Sequence, residues 1–210
     1  MNKLIATKPS KPKKAFKLNK ISPYFVALFI GSLLSFHLTE YYYTSPHSHK
    51  VPQGEDKAIK LFFSPKGKCA AHIINTIKQA EKEIYIAIYV FTHQGIANAL
   101  VSAKARGVDI HILANNTYAT ARYSQLDYLD KYHINIYIDN RPGVFHHKWL
   151  IVDKKTIITG SYNYTKSAEE KNNEIIGHIE SRAVVEKYHQ DWETHIQDPK
   201  VYRYGDLSSK

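Results

Sequence analysis

The sequence His146-His147-Lys148-Trp149-Leu150-Ile151-Val152-Asp153 joins a polar start to an apolar, partly β-branched run. Such a run predicts a buried β-strand. Side chains alternate between the two faces of a strand, so His146 and Lys148 are expected on one face and His147 on the other. The strand would therefore begin with an imidazole and an ammonium group on the same side.

A second polar group follows after six residues, in Gly160-Ser161-Tyr162-Asn163. Residues 156–159 predict a second strand, which ends at Gly160. The two strands together predict a hairpin. That hairpin would bring the glycine-serine turn to one end of a sheet. Lys148 would supply positive charge there, and the glycine would permit a close backbone approach. Ser161 and Asn163 would supply hydrogen-bond donors, and the combination suits the binding of a phosphate.

The complete spacing, His-x-Lys-x4-Asp-x6-Gly-Ser-x-Asn, resembles the signature of the phospholipase D superfamily. The alternative is a half-buried strand with incidental polar residues, which suits a lone His-x-Lys better than a full pattern in register. The resemblance covers residues 58–200 and is closest to small, single-motif bacterial endonucleases. It extends to Phe62-Phe63-Ser64-Pro65-Lys66-Gly67, Ala87-Ile88-Tyr89-Val90-Phe91-Thr92, Thr165-Lys166-Ser167-Ala168-Glu169 and Lys171-Asn172-Asn173-Glu174.

The resemblance implies a catalytic site of six residues: His146, Lys148, Asp153, Ser161, Asn163 and Glu174. The superfamily combines two copies of the motif in one site, and this chain carries one copy. The resemblance therefore implies a homodimer in which two His146 imidazoles meet across a two-fold axis. One would attack phosphorus to form a phosphohistidine, and the other would protonate the leaving oxygen and then activate water.

The other site residues have supporting roles in the scheme that the resemblance implies. Lys148, Ser161 and Asn163 would stabilise charge on the phosphoryl oxygens. Glu174 would hold the imidazole N–H and fix its tautomer. Asp153, one position past the strand, is expected to support the fold. Because lysines supply the electrostatic stabilisation, the scheme uses no metal and no cofactor.

Strand and helix patterns alternate between residues 58 and 200. Apolar runs predict further strands at residues 61–63, 84–91, 108–113, 134–138 and 175–179. Helical spacing predicts helices near residues 70–80, 96–103, 126–132, 167–171 and 184–196. The alternation predicts an α/β fold with a mixed, mostly parallel sheet flanked by helices. Residues 39–57 are the predicted linker, and residues 201–210 are the predicted C-terminal tail.

The N-terminus differs in composition from the rest of the chain. Residues 1–20 contain seven lysines and no acid, and residues 21–38 contain no Asp, Glu, Lys or Arg. The uncharged run is close to the roughly 20 residues that a membrane-spanning helix needs, and it lacks the small residues of a signal-peptide cleavage site. We expect one uncleaved transmembrane helix with the domain on the periplasmic side. The alternative is a cleaved signal that releases the domain into the periplasm.

The net charge of +10 is concentrated at the N-terminus. Residues 1–50 carry eight lysines and one acid, so the domain itself is only mildly basic and its charge does not identify a groove for nucleic acid. The single cysteine excludes an intrachain disulfide. The twelve histidines include no His-x3-His pair, so no metal site is predicted.

These observations predict a membrane-bound phosphodiesterase. The bacterial endonuclease resemblance favours a non-specific nuclease that cleaves DNA or RNA. The membrane anchor keeps a second hypothesis open, a phospholipase D that acts on membrane phospholipid such as cardiolipin. A third hypothesis, an inactive nucleic-acid-binding protein, is opposed by the intact motif.

Overall fold

The computed structural model describes Ser35 and residues 59–207. The predicted basic start, membrane segment and linker, residues 1–57, lie outside the described residues except for Ser35. Among the residues that the structure describes, no helix is both long enough and apolar enough to cross a membrane.

Within residues 59–207, eight strands form one sheet in the order β1-β7-β6-β5-β2-β3-β4-β8. The strands are β1 (Lys60–Ser64), β2 (Glu83–Ile88), β3 (Asp109–Asn115), β4 (Asn135–Asp139), β5 (Lys148–Val152), β6 (Thr156–Gly160), β7 (Glu174–Ile179) and β8 (Val201–Arg203). Every predicted strand is present, and β5 and β6 form the predicted hairpin.

The sheet is mixed, as predicted, but its neighbouring strands are mostly antiparallel. Among the described strands, β2 with β3 and β3 with β4 are parallel, and the other five pairs are antiparallel. The prediction of a mostly parallel sheet was wrong, because β5 and β6 form a tight hairpin and the pairs β1–β7, β2–β5 and β4–β8 join strands that are far apart in the sequence. A parallel pair needs a crossover of about a dozen residues or more, whereas residues 153–155 join β5 to β6 as a tight turn.

Helices cover both faces of the sheet, as predicted. They are α1 (Cys69–Lys78), α2 (Gln94–Ala105), α3 (Asn116–Ala119), α4 (Leu126–Asp130), α5 (Lys166–Glu170) and α6 (Arg182–Ile196), and a 3₁₀ turn follows at Tyr204–Leu207. Ile73 of α1 and Leu100 of α2 belong to a buried cluster on one face. Trp192 of α6 belongs to a second buried cluster on the other face.

Strand β5 contributes to both clusters, which fixes the direction of its side chains. Leu150 and Val152 pack in the cluster with α1 and α2, while Trp149 and Ile151 pack in the cluster with α6. This alternation confirms the predicted strand and its register. Lys148 follows the same alternation as Leu150, so its side chain leaves the strand on the α1 and α2 side.

One end of the sheet collects the polar residues of the predicted site. Lys148 starts β5 there, Gly160 ends β6, and Glu174 starts β7, because the three strands run in alternating directions. Gly160 is packed tightly against β7, where an added Cβ atom would lie 2.0 Å from the Ile175 carbonyl oxygen. A residue with a side chain would push the two strands apart at this point.

The C-terminal segment extends the sheet beyond the predicted boundary at residue 200. Strand β8 pairs antiparallel with β4, and Tyr202 lies opposite Ile138. The segment predicted as a tail, residues 201–210, therefore contributes an edge strand. Three residues are too few to show a periodic apolar pattern, so the sequence carried no signal for this strand.

Candidate active site

Lys148 is almost completely enclosed, with 7% of its surface exposed. Its Nζ donates a hydrogen bond to the His146 carbonyl oxygen at 2.8 Å and lies 5.0 Å from the centre of the Tyr89 ring. Burial lowers the pKa of the ammonium to about 8, although the negative charge of Glu174 raises it. The chain therefore holds a cation in a fixed position at the end of the sheet.

His146 is exposed at the start of the motif. Its ring lies edge-on against Tyr89, with 4.5 Å between the ring centroids. Partial burial of the ring lowers the pKa of His146, and the positive charge of Lys148 lowers it further. The neutral imidazole that this favours has a free lone pair, which is the form that attacks phosphorus.

His147 points away from His146, as the strand alternation predicted. Its Nδ1 lies 3.5 Å from Oδ2 of Asp191 on α6, and its ring packs against Phe145 with 4.6 Å between centroids. The motif therefore places one imidazole beside Lys148 and the other against helix α6.

Ser161 and Glu174 meet where β6 ends and β7 begins. The Ser161 hydroxyl donates to Oε2 of Glu174 at 2.5 Å and accepts from the Ile175 backbone N–H at 3.2 Å. Asn172 Nδ2 donates to Oε1 of Glu174 at 2.9 Å. Within one chain, Glu174 thus bonds to Ser161 and Asn172, and a bond to the His146 imidazole is not among its contacts. Its role in orienting that imidazole stays a prediction.

Asn163 follows Gly160 by three residues and is half-buried. Its Oδ1 is enclosed and has no hydrogen-bond partner among the residues that the structure describes. Enclosed polar atoms are normally paired, so this amide has capacity left for another molecule. The predicted role as a phosphate donor would use the Nδ2 atom of the same amide.

Asp153 lies at the opposite end of β5, about 16 Å along the strand from Lys148. Its carboxylate accepts hydrogen bonds from the backbone N–H groups of Glu81, Lys82 and Glu83 at 3.1, 2.8 and 3.1 Å. Burial raises the pKa of the Asp153 carboxyl, but these bonds outweigh it and hold the pKa below its usual value. The residue ties the hairpin to the start of β2, which is the supporting role that the sequence predicted.

Asp153→Asn should lower the free energy of unfolding by about 1.5–3 kcal/mol near neutral pH, the usual contribution of hydrogen bonds to a charged group. The folded carboxyl has a lower pKa than the unfolded one, whose pKa is about 3.9. Its stabilisation is therefore present above that pH and is lost as the pH falls through the folded pKa. Urea unfolding at neutral and acidic pH measures this, with the exposed neighbour Glu81→Gln as the control. A difference that persists undiminished in acid would contradict it.

A cleft of about 410 Å³ opens beside the motif and is lined by His146, Lys148 and Gly160. Lys187 and Tyr188 of α6 form its other wall. Neither Tyr89, which packs on His146, nor Lys187 was predicted as a site residue. Only the place of Tyr89 in the sequence could have indicated a site residue. It directly follows a buried strand, at the end of the sheet where ligands bind in α/β folds. Lys187 comes from a distant helix and had no signal.

Residues 73–196 match the profile of a protein family described as "Cardiolipin synthase, PLD-like domain". This range contains the hairpin and all six predicted site residues. The chain belongs to the phospholipase D superfamily. The assignment confirms the family that the motif suggested, and it makes the protein a phosphodiesterase of a metal-independent family.

The chain resembles other superfamily members over much of its length. It is 30% identical over 190 residues to the phospholipase D of Rickettsia typhi. That alignment covers 84% of this chain and 93% of the Rickettsia protein. It is 29% identical over 134 residues to the mitochondrial cardiolipin hydrolase of Homo sapiens, which covers 61% of this chain and 53% of that protein.

Two solved superfamily structures share the fold. Nuc from Salmonella typhimurium has 32% identity and a TM-score of 0.65, and the match covers 70% of this chain and 97% of Nuc. NucT from Helicobacter pylori has 27% identity and a TM-score of 0.61, covering 67% of this chain and 96% of NucT. Because both are matched almost end to end, the shared region is their whole fold, and it places this chain in the single-motif, Nuc-like branch.

Proposed function

We propose that this phosphodiesterase is a non-specific endonuclease that cleaves DNA or RNA. The observation that carries the proposal is the match to Nuc and NucT over 97% and 96% of their chains. The sequence resemblance to small bacterial endonucleases supports the same substrate class. The cleft beside His146 also suits it, because Lys148 lines the cleft and Lys187 adds a second cation for a phosphate backbone.

The proposed reaction consists of two displacements at phosphorus. A ring nitrogen of His146 attacks, the P–N bond forms, and the P–O bond to the leaving strand breaks as His146 of the partner subunit protonates the leaving oxygen. The partner imidazole, now neutral, then takes a proton from water. The water oxygen attacks phosphorus and the P–N bond breaks, which restores both imidazoles.

Charge stabilisation in this scheme comes from groups held before the substrate arrives. The Lys148 ammonium is fixed by its bond to the His146 carbonyl oxygen and keeps two further N–H donors. Donors that are already oriented need no rearrangement when negative charge builds up on the phosphoryl oxygens. The single hydroxyl donor of Ser161 is held by Glu174 and would have to turn to the substrate. The Nδ2 group of Asn163 would join them as a donor when substrate binds.

We infer that the enzyme acts as a homodimer with a shared active site. The chain carries one copy of a motif that the chemistry uses twice, and His146 is exposed in the single chain. Large apolar side chains surround the site: Val144 is 62% exposed near His146, and Phe63 and Ile175 are 56% and 38% exposed near Glu174. Such exposed apolar surface supports a protein–protein contact at this end of the molecule.

The N-terminal composition supports membrane attachment. We propose that residues 21–38 anchor the chain, and that the lysines of residues 1–20 stay in the cytoplasm while the domain lies in the periplasm. Release after signal cleavage is the alternative. Recovery of the intact full-length chain in the soluble fraction would contradict the anchor.

Phospholipid is the second candidate substrate. The similarity to the Rickettsia typhi phospholipase D, over 93% of that protein, favours it specifically. The proposed anchor would keep the site close to lipid headgroups. Both substrates present a phosphodiester, so the same catalytic groups would serve either one.

A direct comparison of substrates tests the proposed function. Full-length enzyme in detergent is assayed in EDTA on single-stranded DNA, double-stranded DNA, RNA and cardiolipin-containing vesicles, with His146→Ala as the inactive reference. We expect nucleic acid to be cleaved and vesicles to remain intact. Cleavage of lipid alone would overturn the choice of substrate and leave the mechanism standing. Complete inhibition by EDTA with no fall in the melting temperature would overturn the metal-free mechanism.

A further inference from the structure

Three side chains of types that can ligate a metal converge between strand β5 and helix α6. They are His147, Asp191 and His195, and their ligand atoms all lie within 4.8 Å of one another. Asp191 and His195 are four residues apart on α6, the spacing that presents two ligands on one face of a helix. We call these three residues the His147 cluster.

Two nitrogen–oxygen distances in the His147 cluster are longer than most hydrogen bonds and close to the separation of two zinc ligands. Asp191 Oδ2 lies 3.5 Å from Nδ1 of His147, and Asp191 Oδ1 lies 3.4 Å from Nε2 of His195. Nitrogen–oxygen hydrogen bonds prefer about 2.7–3.2 Å. Two ligands on a tetrahedral zinc ion, with bonds of about 2.0–2.1 Å, are separated by about 3.3–3.4 Å.

The ring nitrogens give a second, independent indication. Nδ1 of His147 and Nδ1 of His195 are both enclosed, and neither makes a hydrogen bond among the residues that the structure describes. Enclosed polar atoms are usually paired, so both nitrogens have a binding capacity that the chain leaves unused. An ion at the centre of the cluster would take up the Nδ1 atom of His147.

Asp139 lies next to the His195 ring, and Phe145 packs on the rings of His147 and His195. Oδ2 of Asp139 lies 3.9 Å from Nδ1 of His195, while Nε2 of the same ring faces Asp191. Metal-bound histidines usually donate their second ring N–H to a carboxylate, and Asp139 is a buried carboxylate held by Arg141. Phe145 packs on both imidazoles, with centroid distances of 4.6 and 5.2 Å, which limits their rotation.

We propose that the His147 cluster binds one divalent transition-metal ion of the zinc type. Two imidazoles and one carboxylate are a ligand set that zinc accepts, with water in the fourth position. The ion would connect the start of β5 to the end of α6. His147 and Asp191 also line the cleft beside His146. The proposed role of the ion is to stabilise the fold, because the proposed phosphodiester chemistry uses only side chains of the protein.

Zinc titration of the full-length chain in detergent tests this site. The protein is stripped with EDTA, freed of chelator and titrated with ZnCl₂ by isothermal titration calorimetry. Wild type should bind one equivalent more than Asp191→Asn, and its melting temperature should rise more when zinc is added. Any zinc bound by His47 and His49 cancels in the comparison of wild type with Asp191→Asn, because both proteins contain these two histidines. The difference in zinc stoichiometry therefore reports on the His147 cluster alone.

Glu193→Gln is the matched control, because Glu193 lies 3.5 Å from His189 at the same spacing on the same helix. It belongs to no three-ligand group among the described residues and should keep the full zinc stoichiometry. His147→Gln should lose the same equivalent as Asp191→Asn and provides a second variant if that chain folds poorly. Equal zinc binding by wild type, Asp191→Asn and His147→Gln would overturn the proposal. Loss of one zinc equivalent in Glu193→Gln would overturn it as well.

Discussion

His146→Ala should lower kcat at least about 10⁴-fold on any phosphodiester that the enzyme cleaves. In the proposed dimer the substitution removes both imidazoles of the shared site. One is the nucleophile, and the other is the general acid and base. No neighbour can replace it, because the adjacent His147 points to α6 and lies 3.5 Å from Asp191. Cleavage of a fluorescent oligonucleotide and of a bis-phosphodiester model compound, both in EDTA, measures the loss.

The exposure of His146 makes this variant informative. Removing an exposed ring leaves the two buried clusters intact, so the thermal unfolding temperature should stay close to that of wild type. His111→Ala is the control, because His111 is a strand histidine that bonds to Asp109 on the same sheet and is not part of the motif. It should retain the activity of wild type. Comparable turnover by His146→Ala and wild type would contradict the assignment of the nucleophile.

A mixed dimer shows whether two chains share one site. Wild-type and His146→Ala chains with different tags can be co-expressed, and the heterodimer isolated by two affinity steps. A shared site needs both imidazoles, so the heterodimer should be almost inactive. Independent sites would instead give about half the activity of the wild-type dimer, and that result would contradict the shared site.

The sequence predicted the hairpin and its polar residues because both depend on local rules. Strand alternation set the sides of His146 and His147, and the structure confirms it through the packing of Leu150 and Trp149 in opposite clusters. The supporting role of Asp153 followed from its position just past the strand. Period-two patterns and short turns contain this information within a few residues of the chain.

Strand direction and convergent clusters depend on the path of the whole chain. The sequence showed that strands and helices alternate, but not which strands become neighbours, so the sheet was predicted as mostly parallel. His147 and His195 meet only because α6 packs against β5. The pattern Asp191-x3-His195 contains one histidine, so a search for pairs of histidines does not find it. Glu174 was predicted to hold the imidazole, and within one chain its oxygens accept hydrogen bonds from Ser161 and Asn172. Its contact with the imidazole stays a prediction.

Lys148→Ala should raise the activation free energy by about 2.7–4 kcal/mol, the cost of removing one oriented donor from a site that stabilises an oxyanion, or about 10²- to 10³-fold in kcat. The residue is 7% exposed and its ammonium is held by the His146 carbonyl oxygen, so its position depends little on the substrate. A mobile surface lysine would contribute much less, because it would have to be ordered during the reaction. The measurement is kcat in EDTA at saturating oligonucleotide.

Lys155→Ala is the matched control for Lys148→Ala. Lys155 is an exposed lysine in the turn at the other end of the same hairpin, so its loss removes one positive charge without touching the site. Its kcat should equal that of wild type. Lys148→Met keeps most of the aliphatic volume and should lose as much kcat as Lys148→Ala while remaining folded, because an enclosed ammonium costs the fold free energy through desolvation. If Lys148→Met retained the wild-type kcat, the lysine would act through packing and its electrostatic role would be wrong.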